Sequence, residues 1–438
     1  MADIGRGRIV VGLAVVALLL AACQGGEVGG GTGDKGVKTD VGVTDEPCPG
    51  GNANRGCIYL GVLSDLTEGP FRALAVPITD GQKAFWKRVN AQGGIGGKYD
   101  VNIDRYTRDN KYNPEEHVAK FREIAPKVLA LAQTLGTPPT LAALPLMKES
   151  DIVGAPASWW SGWEFEDVIL ESGYNYCTES MNGLDWASER FGKPKTVMAI
   201  HYPGDYGGDS AAGVAEWAKA NNVTFNAKSH DVQTTPNAQA GNQDAAVGKI
   251  LGAKPDVVVV ATGPAEMAEI VGKSAAQGFN GQFVGSVPTY NPALLKSAAA
   301  PAIKARYHFV APWGPWGSDT PAHKAMQEAA GNQPPPNDGY TFGWIWSYPL
   351  KAVLEKAVQN GDLTRAGVRK ASTEVTVDYE GALPPKTYSG DSNTTVVRQA
   401  LIAKPDESAP LGSSVLKDFF VGPTAKDFDF TKPCVAAG

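Results

Sequence analysis

The chain has 438 residues, of which 43% are hydrophobic and 20% are charged, and its formal net charge is −6 at pH 7. An acidic chain without a basic field excludes nucleic acid as a partner bound through its phosphates. The length exceeds what one small core needs and predicts two lobes, since domains usually span about 100–200 residues.

The first 23 residues resemble the signal of a bacterial lipoprotein. Arg6 and Arg8 precede an apolar run over residues 9–20, and small residues lead from it to Cys23. The run is shorter than the roughly 17–25 residues of a spanning helix, so it predicts a signal peptide over residues 1–22 rather than a bare transmembrane anchor. Cleavage there would leave Cys23 for lipid attachment. We therefore expect an exported domain, lipid-anchored at the extracytoplasmic face of the cell membrane.

Residues 23–56 are the predicted lipidated tether. Eight glycines fall between residues 24 and 47, with few apolar side chains among them. This composition is typical of a flexible coil that buries too little surface to order itself.

The other four cysteines form an even set that suits an oxidising compartment. They allow three pairings, but the short Pro/Gly/Asn loop over residues 49–56 favours a bridge between Cys48 and Cys57, which leaves Cys177 for Cys434. A metal site would need clustered Cys and His ligands, and the spacing offers none. We expect structural disulfides, no metal and no cofactor.

From residue 57 onward, short apolar runs alternate with segments of helical periodicity. Continuous runs of this kind are typical of strands buried on both faces and predict parallel βαβ units. The predicted buried strands cover residues 58–63, 127–132, 196–200 and 256–261. Residues 99–106 alternate polar and apolar side chains and predict a strand with one more exposed face.

Two predicted helices carry recognisable end signals. Asn113 and Pro114 are typical of an N-cap and a first helical position. A second helix is predicted from residue 264 to Gly278, a residue type common at helix ends. After about residue 380 the pattern becomes less regular.

Five blocks of sequence follow one another in a recognisable order. They are a strand and loop at 58–70, a Gly-rich turn at 90–98, an Asp-to-Pro segment at 109–114, a Tyr-Pro-Gly-Asp-Tyr-Gly segment at 202–207, and a helix end with its following strand at 275–285. Together they resemble a type I periplasmic binding protein, specifically the leucine-binding-protein-like solute-binding component of a branched-chain amino acid ABC transporter. The resemblance covers roughly residues 57–375.

The resemblance implies an α/β fold of two Rossmann-like lobes with parallel sheets, joined by a multi-strand hinge. Lobe 1 is expected to contain residues 57–178 and 312–375, and lobe 2 residues 179–311 and 376–438. The ligand is expected to lie between the lobes, with hinge closure around it.

The resemblance also implies a subsite for a ligand carboxylate. Its first part falls on Thr137, in the loop 136–140, and its second on Ala157 and Ser158, where hydroxyl and backbone N–H groups can donate to an anionic oxygen. The helix that begins near Pro138 would add a favourable dipole. The alternative is that Thr137 and Ser158 only cap helices.

Tyr206 matches the aromatic residue of the second lobe that closes on the ligand, and Asp205 beside it is a candidate contact for a cationic or hydroxyl group. Both have a structural alternative. The position where amino-acid-binding members carry an acid for the ammonium group reads Gly-Ser-Val-Pro at 285–288. An α-amino acid is therefore a doubtful ligand, because a buried ammonium without a counter-charge is costly.

Aromatic residues indicate what replaces that contact. Trp159 follows the presumed anion loop, and Tyr340 and Trp344 lie in a segment expected near the pocket or hinge. Rings of this kind suit an aromatic or bulky apolar ligand. The alternative is that many of them fill the core or the lobe interface.

Enzyme motifs are not found in the sequence. Residues 93–99 depart from the phosphate-loop pattern, the five histidines lack metalloprotease spacing, and no nucleophile elbow occurs. We therefore expect no enzymatic activity but a solute-binding lipoprotein that delivers a small carboxylate-bearing molecule, aromatic, apolar or an amino acid, to an ABC permease. The alternatives are a ligand sensor that signals through a membrane receptor and a structural lipoprotein.

Overall fold

Two separate sheets, each rich in parallel strands, organise the chain in the computed structural model, which describes residues 36–236 and 241–436. The predicted signal peptide and Cys23 lie outside the described residues. The chain from Val37 onward is one unit. Along the described ranges, no helix combines the length and the apolarity needed to cross a membrane.

The strands, in chain order, are β1 (Lys38–Thr39), β2 (Val43–Thr44), β3 (Gly56–Ser64), β4 (Tyr99–Asp109), β5 (Ala130–Leu135), β6 (Gly154–Ala157), β7 (Val197–His201), β8 (Asp231–Gln233), β9 (Val257–Ala261), β10 (Gln282–Gly285), β11 (Tyr307–Ala311), β12 (Asp362–Leu363), β13 (Thr376–Val377), β14 (Lys386–Thr387), β15 (Ala400–Pro405) and β16 (Ser413–Phe420).

The α-helices are α1 (Arg72–Ala91), α2 (Pro114–Ile124), α3 (Thr137–Glu149), α4 (Tyr176–Phe191), α5 (Asp205–Asn221), α6 (Asp244–Ala253), α7 (Pro264–Ala276), α8 (Ala300–Arg306), α9 (Pro321–Ala329), α10 (Gly339–Ile345), α11 (Tyr348–Gln359), α12 (Arg365–Ser372), α13 (Ser392–Thr395) and α14 (Pro423–Asp427).

The first sheet is built around β3. This strand pairs in parallel with β4 and β5, β5 pairs in parallel with β6, and the short β2 pairs antiparallel with the start of β3. The second sheet has the order β8–β7–β9–β10–β11, all parallel, and continues antiparallel through β15 and β16. The predicted α/β fold class is confirmed, while the exact lobe boundaries stay a prediction.

Most predicted strands are confirmed with small shifts. The strands at 58–63, 196–200 and 256–261 correspond to β3, β7 and β9. The strand predicted at 127–132 begins later, at Ala130, because Ala125–Lys127 extends α2 as a short 3-10 turn. The Asn113 cap is also confirmed, since its side chain accepts hydrogen bonds from the N–H groups of Glu115 and Glu116.

Two segments are more ordered than their sequence pattern indicates. Within the predicted coil, β1 pairs with β12 and β2 pairs with β3, and the Gly42 carbonyl accepts from the Tyr59 N–H at 2.7 Å. The less regular tail contributes β15 and β16. Both segments gain their order from strands distant in sequence, which supply the hydrogen bonds that the local composition does not favour.

Both predicted disulfides are present. Cys48 is bonded to Cys57, and Cys177 to Cys434 across 257 residues. The Cys434 N–H also donates to the Ser161 hydroxyl at 2.9 Å. The C-terminal tail is thereby attached to the start of α4 and to the loop after β6.

Candidate functional site

A cavity lies where loops from the two sheets meet, each loop following the C-terminal end of a parallel strand. The loops after β4, β5 and β6 contribute Tyr112, Gly136 and Ser158. The segments after β7 and β10 contribute Tyr206, in the first turn of α5, and Pro288. Ligands of open α/β sheets bind outside these strand ends, where backbone and helix-start groups converge.

The cavity wall is predominantly apolar and aromatic. The space among its side chains, including open solvent at its mouth, is about 440 Å³. The lining residues are Phe71, Leu74, Ile78, Tyr112, Leu135, Gly136, Ala157, Ser158, Trp159, Tyr176, Tyr206, Pro288, Phe342 and Trp346. Among these described residues no side chain carries a charge.

The rings of the wall brace one another. Trp159 lies 4.8 Å from Trp346 between ring centroids, and Tyr176 lies 4.6 Å from Tyr206. The Trp159 ring N–H donates to the Ser172 carbonyl at 2.9 Å, so it is already used. Rings held in this way present fixed apolar faces to a ligand.

The predicted carboxylate subsite begins at the start of α3. Gly136 has φ +94°, and a Cβ there would lie 2.6 Å from the Tyr112 ring, so only glycine fits. Pro138 and Pro139 carry no N–H, and the Thr140 N–H donates to the Gly136 carbonyl. Thr137 is therefore the residue of this first turn that supplies donor groups to the helix start.

Thr137 is fully buried, and its hydroxyl has no hydrogen-bond partner among the described residues. Thr137 itself is not among the described residues that line the cavity, although its neighbour Gly136 is. Ser158 lines the cavity and is 3% exposed; its hydroxyl accepts from the Trp163 ring N–H at 3.1 Å. An accepting hydroxyl keeps its own proton to donate. Ala157 also lines the cavity. The structure therefore places Ala157 and Ser158 on the wall, with Thr137 buried next to Gly136, and the subsite stays a prediction.

The loop that carries Tyr112 is held by a buried polar network. Lys111 and Tyr112 both adopt left-handed backbone conformations, with φ of 52° and 56°, which is strained for such residues. The Asn110 side chain accepts from the Tyr112 N–H at 2.8 Å and donates to the Leu135 carbonyl at 3.1 Å. The end of β4 is thereby fastened to the end of β5.

His117 extends this network beneath the site. Its ring nitrogens lie 2.9 Å from the Asn110 amide and 3.0 Å from the Thr134 hydroxyl, which in turn contacts the Thr140 hydroxyl at 2.8 Å. Burial lowers the pKa of His117 to about 3, so the ring is neutral at physiological pH. It acts as a structural link and not as a charge.

Tyr206 lines the cavity with its ring, as predicted, while its hydroxyl donates to the Thr262 carbonyl at 3.1 Å. Asp205 begins α5 and is buried beside it, but it is not among the described residues that line the cavity. The structure thus brings Tyr206, but not the Asp205 carboxyl, to the wall.

Tyr340 and Trp344 do not line the cavity in the described structure. Tyr340 packs on Trp316, and Trp344 packs on Phe85, with ring centroids 5.7 and 5.4 Å apart. The cavity instead takes Phe342 and Trp346, which share the opposite side of the same helical segment.

A close approach of two helices decides which side of α10 faces the cavity. A Cβ on Gly343 would collide with the Ile78 carbonyl oxygen, and one on Gly81 with the Tyr340 carbonyl oxygen. Glycines at both positions let α1 and α10 pack backbone to backbone, which fixes the rotation of α10. The rotation of α10 cannot be predicted from the local sequence, because it depends on the contact with α1.

Several wall residues were not predicted from the sequence. Phe71, Leu74 and Ile78 come from the start of α1, and Tyr112 from the block at 109–114 that carried the family resemblance. That block was the available signal for Tyr112. The α1 residues have an ordinary helical spacing that is typical of any buried face.

A buried carboxyl lies behind the turn at 285–288. Glu179 accepts from the Val287 N–H at 3.0 Å and from the Tyr174 hydroxyl at 2.7 Å. Burial raises the pKa of Glu179 to about 8. Both of these hydrogen bonds go to Oε1, and Oε2 has no hydrogen-bond partner among the described residues. A carboxyl group that is protonated at neutral pH carries no charge to attract a ligand ammonium.

The sequence and structure were compared with known proteins. The family model described as "Periplasmic binding protein" matches residues 58–409. No curated protein sequence matches the chain. Among solved structures, the fatty acid ABC transporter substrate-binding protein from Thermomonospora curvata superposes with a TM-score of 0.81 at 26% identity, covering 91% of this chain and 98% of that one.

A branched-chain amino acid ABC transporter protein from Thermus thermophilus, solved with bound valine, superposes with a TM-score of 0.71 at 17% identity, covering 85% of this chain and 98% of that one. A substrate-binding protein of an ABC transporter from Aeropyrum pernix gives 0.70 at 18% identity, covering 85% and 99%. At these identities the likeness shows the shared fold.

Proposed function

This chain belongs to the periplasmic binding protein family, the type I small-ligand-binding proteins of ABC transporters, and on that premise we propose that it captures a small carboxylate with an apolar body. The ligand is held between the loops of the two sheets and passed unchanged to an ABC permease. The anchor is a lipid on Cys23, and the protein works at the extracytoplasmic face of the membrane.

The unpartnered hydroxyl of Thr137 carries this proposal. A buried hydroxyl without an acceptor costs about 1–3 kcal/mol, and Thr137 directly follows Gly136, which lines the cavity. A ligand carboxylate would accept from Thr137 and from the Ser158 hydroxyl, whose proton is available. Charge-assisted hydrogen bonds of this kind are stronger than neutral ones.

The wall selects the rest of the ligand. Its rings and aliphatic side chains favour an apolar body, and the described lining offers no counter-charge for an ammonium group. The Thermomonospora curvata neighbour is named for a fatty acid, a molecule that joins one carboxylate to an apolar chain. An α-amino acid is disfavoured on the same grounds.

Binding of matched acid and amide pairs tests the proposal. Residues 24–438 contain the whole unit that begins at Val37, and titration calorimetry would compare hexanoate with hexanamide and 3-phenylpropionate with its amide. We expect each acid to bind at least tenfold more tightly than its amide, and leucine more weakly than hexanoate. Equal affinity of acid and amide, or tighter binding of leucine, would contradict the assignment.

The lipid anchor is tested separately in cells. Metabolic labelling with palmitate should mark the wild-type protein, and Cys23→Ala should abolish the label while leaving the described fold unaffected. Labelling that persists in Cys23→Ala would remove Cys23 from the anchor.

A further inference from the structure

A second cavity adjoins the ligand cavity. Leu74 and Phe342 line both, and the consecutive residues Val287 and Pro288 line one each. The second cavity has about 490 Å³ among its side chains, including open space. The two spaces are therefore neighbours that share part of their walls.

The wall of the second cavity is formed by residues that are far apart in the sequence. β11 and β15 contribute from the second sheet, α1 and α10 from the packed helix pair, and further residues come from the loops between. The lining residues are Leu74, Val287, Tyr290, Pro292, Phe309, Ala311, Trp313, Pro315, Asn337, Asp338, Phe342, Leu401, Ala403, Leu411 and Ser413.

Its larger polar side chains already have partners in the protein. Asp338 accepts from the Thr341 hydroxyl at 2.6 Å and from the Trp316 N–H at 3.1 Å. Asn337 donates to the Ala73 carbonyl at 2.7 Å, and the Tyr290 hydroxyl donates to the Gly412 carbonyl. A ligand entering here would meet chiefly apolar surface.

We propose that the two cavities form one elongated site for an unbranched acyl chain, whose carboxylate lies at Thr137 and Ser158 and whose tail passes Leu74 and Phe342 into the second cavity. This rests on the proposed function and adds the substrate class. The proposed orientation of the ligand follows from the position of Asp338. A ligand carboxylate in the second cavity would lie beside this carboxyl group, so the carboxylate is placed in the first cavity and the tail in the second.

The side chains at the junction bear on the shape of the ligand. Leu74 and Phe342 line both cavities, and the Phe342 ring is braced by Trp313 at a centroid distance of 5.4 Å. An unbranched methylene chain needs the narrowest gap between these two side chains, whereas a ring or a branched group needs a wider one. Each methylene buried beyond the junction should add about fourfold in affinity.

A chain-length series tests the inference. Calorimetry of residues 24–438 with hexanoate, octanoate, decanoate and dodecanoate, each below its aggregation concentration, should show affinity rising by at least tenfold from hexanoate to decanoate. Hexanoate that binds with no gain on lengthening would overturn the elongated site and leave the proposed function standing. Failure of every acid to bind would overturn both.

Ala403→Leu provides an independent arm, because Ala403 is buried and faces only the second cavity of the two. We expect this variant to keep hexanoate affinity within twofold and to lose most of the gain for decanoate. Retained hexanoate binding also shows that the variant is folded. If it instead keeps the full decanoate gain, the tail does not enter the second cavity; should it bind neither acid, the milder Ala403→Val is used with the same criterion.

Discussion

The ligand cavity and the tail-attachment region, formed by Lys386, Glu164 and Glu171, both bury polar groups. The polar groups of the tail-attachment region have ion-pair partners within the chain, whereas one polar group beside the cavity has no partner. In the tail-attachment region, Lys386 lies 2.7 Å from Glu164 and 2.6 Å from Glu171, and their side chains are 1%, 5% and 7% exposed. In the cavity the described lining carries no charge, and the nearby Thr137 hydroxyl has no partner.

This difference distinguishes polar groups that hold the chain together from a polar group that is available to a ligand. Lys386 contacts both carboxyl groups within the chain, so this cluster holds one segment against another and leaves nothing for a ligand. A buried donor without an acceptor instead weakens the ligand-free protein and strengthens the complex. If the proposed function holds, polar groups of similar burial therefore contribute to stability in one region and to binding in the other.

Lys386→Met should give the largest effect. It leaves two buried carboxyl groups without their cation, and removing one partner of a buried ion pair costs about 3–5 kcal/mol. Urea unfolding followed by tryptophan fluorescence would measure the loss. Lys404→Met, at an exposed position on β15, is the matched control and should change the free energy of unfolding by less than about 0.5 kcal/mol; equal effects would remove the special status of the cluster.

Opening the bridge from Cys177 to Cys434 should have the next largest effect. A double substitution to alanine frees the tail that the bridge holds and is expected to lower the free energy of unfolding by about 2–4 kcal/mol. The Cys48–Cys57 bridge closes a much shorter loop, so the equivalent double variant should lose less. The reverse ranking would show that the tail bridge is not a main attachment.

Features that depend on a local pattern of residues could be predicted from the sequence, whereas features that depend on packing could not. Buried strands could be predicted because apolar runs are typical of them. Thr137, Ala157 and Ser158 could be named as candidate site residues because the order of sequence blocks resembles the family, which assigns a carboxylate subsite to these positions. The short loop between Cys48 and Cys57 predicted one bridge, and the pairing of Cys177 with Cys434 followed by elimination. The choice between Trp344 and Trp346 was not accessible, since it depends on how Gly343 meets α1.

Strands that form only by pairing with distant residues could not be predicted from the local sequence pattern. Residues 38–44 belong to the segment that its overall composition predicts to be coil, but their strand partners lie at Asp362–Leu363 and at Cys57–Ile58. The second cavity depends in the same way on β11 and β15, which are nearly a hundred residues apart. Such features follow from the assembled sheets and not from any single run of residues.

The charge state of the tail cluster gives a smaller effect with a defined sign. Burial and the neighbouring Glu171 raise the pKa of Glu164 to about 8, against about 4.5 when unfolded. The folded protein therefore holds an extra proton between these values, and stability falls as pH rises from about 4.5 to 8. Glu164→Gln cannot lose that proton and should reduce the decline between pH 6 and pH 8 by about 1–2 kcal/mol.

Unfolding curves at several pH values would measure this. The neutral His117 acts in the opposite direction and only below about pH 6.5, because its pKa is lowered; it is also present in both proteins and cancels in the comparison. Parallel pH profiles for the wild type and Glu164→Gln would mean that Glu164 stays ionised beside Lys386.

Thr137→Val tests the cavity side of the contrast with the smallest expected change. The substitution keeps the shape and removes the unpartnered hydroxyl, so the ligand-free protein should be as stable as the wild type or slightly more so. Affinity for a carboxylate such as hexanoate should fall by more than about 1 kcal/mol, roughly fivefold. Calorimetry and urea unfolding would give both quantities.

Thr140→Val is the matched control, one turn along the same helix. Its hydroxyl contacts the Thr134 hydroxyl at 2.8 Å and donates to the Thr134 carbonyl at 3.2 Å, so it belongs to the satisfied network. This variant should lose about 1 kcal/mol of stability and little affinity, the opposite of Thr137→Val. If instead both variants lose stability and neither loses affinity, Thr137 is only a helix-start residue, and the contrast between a satisfied and an unsatisfied region no longer marks the ligand site.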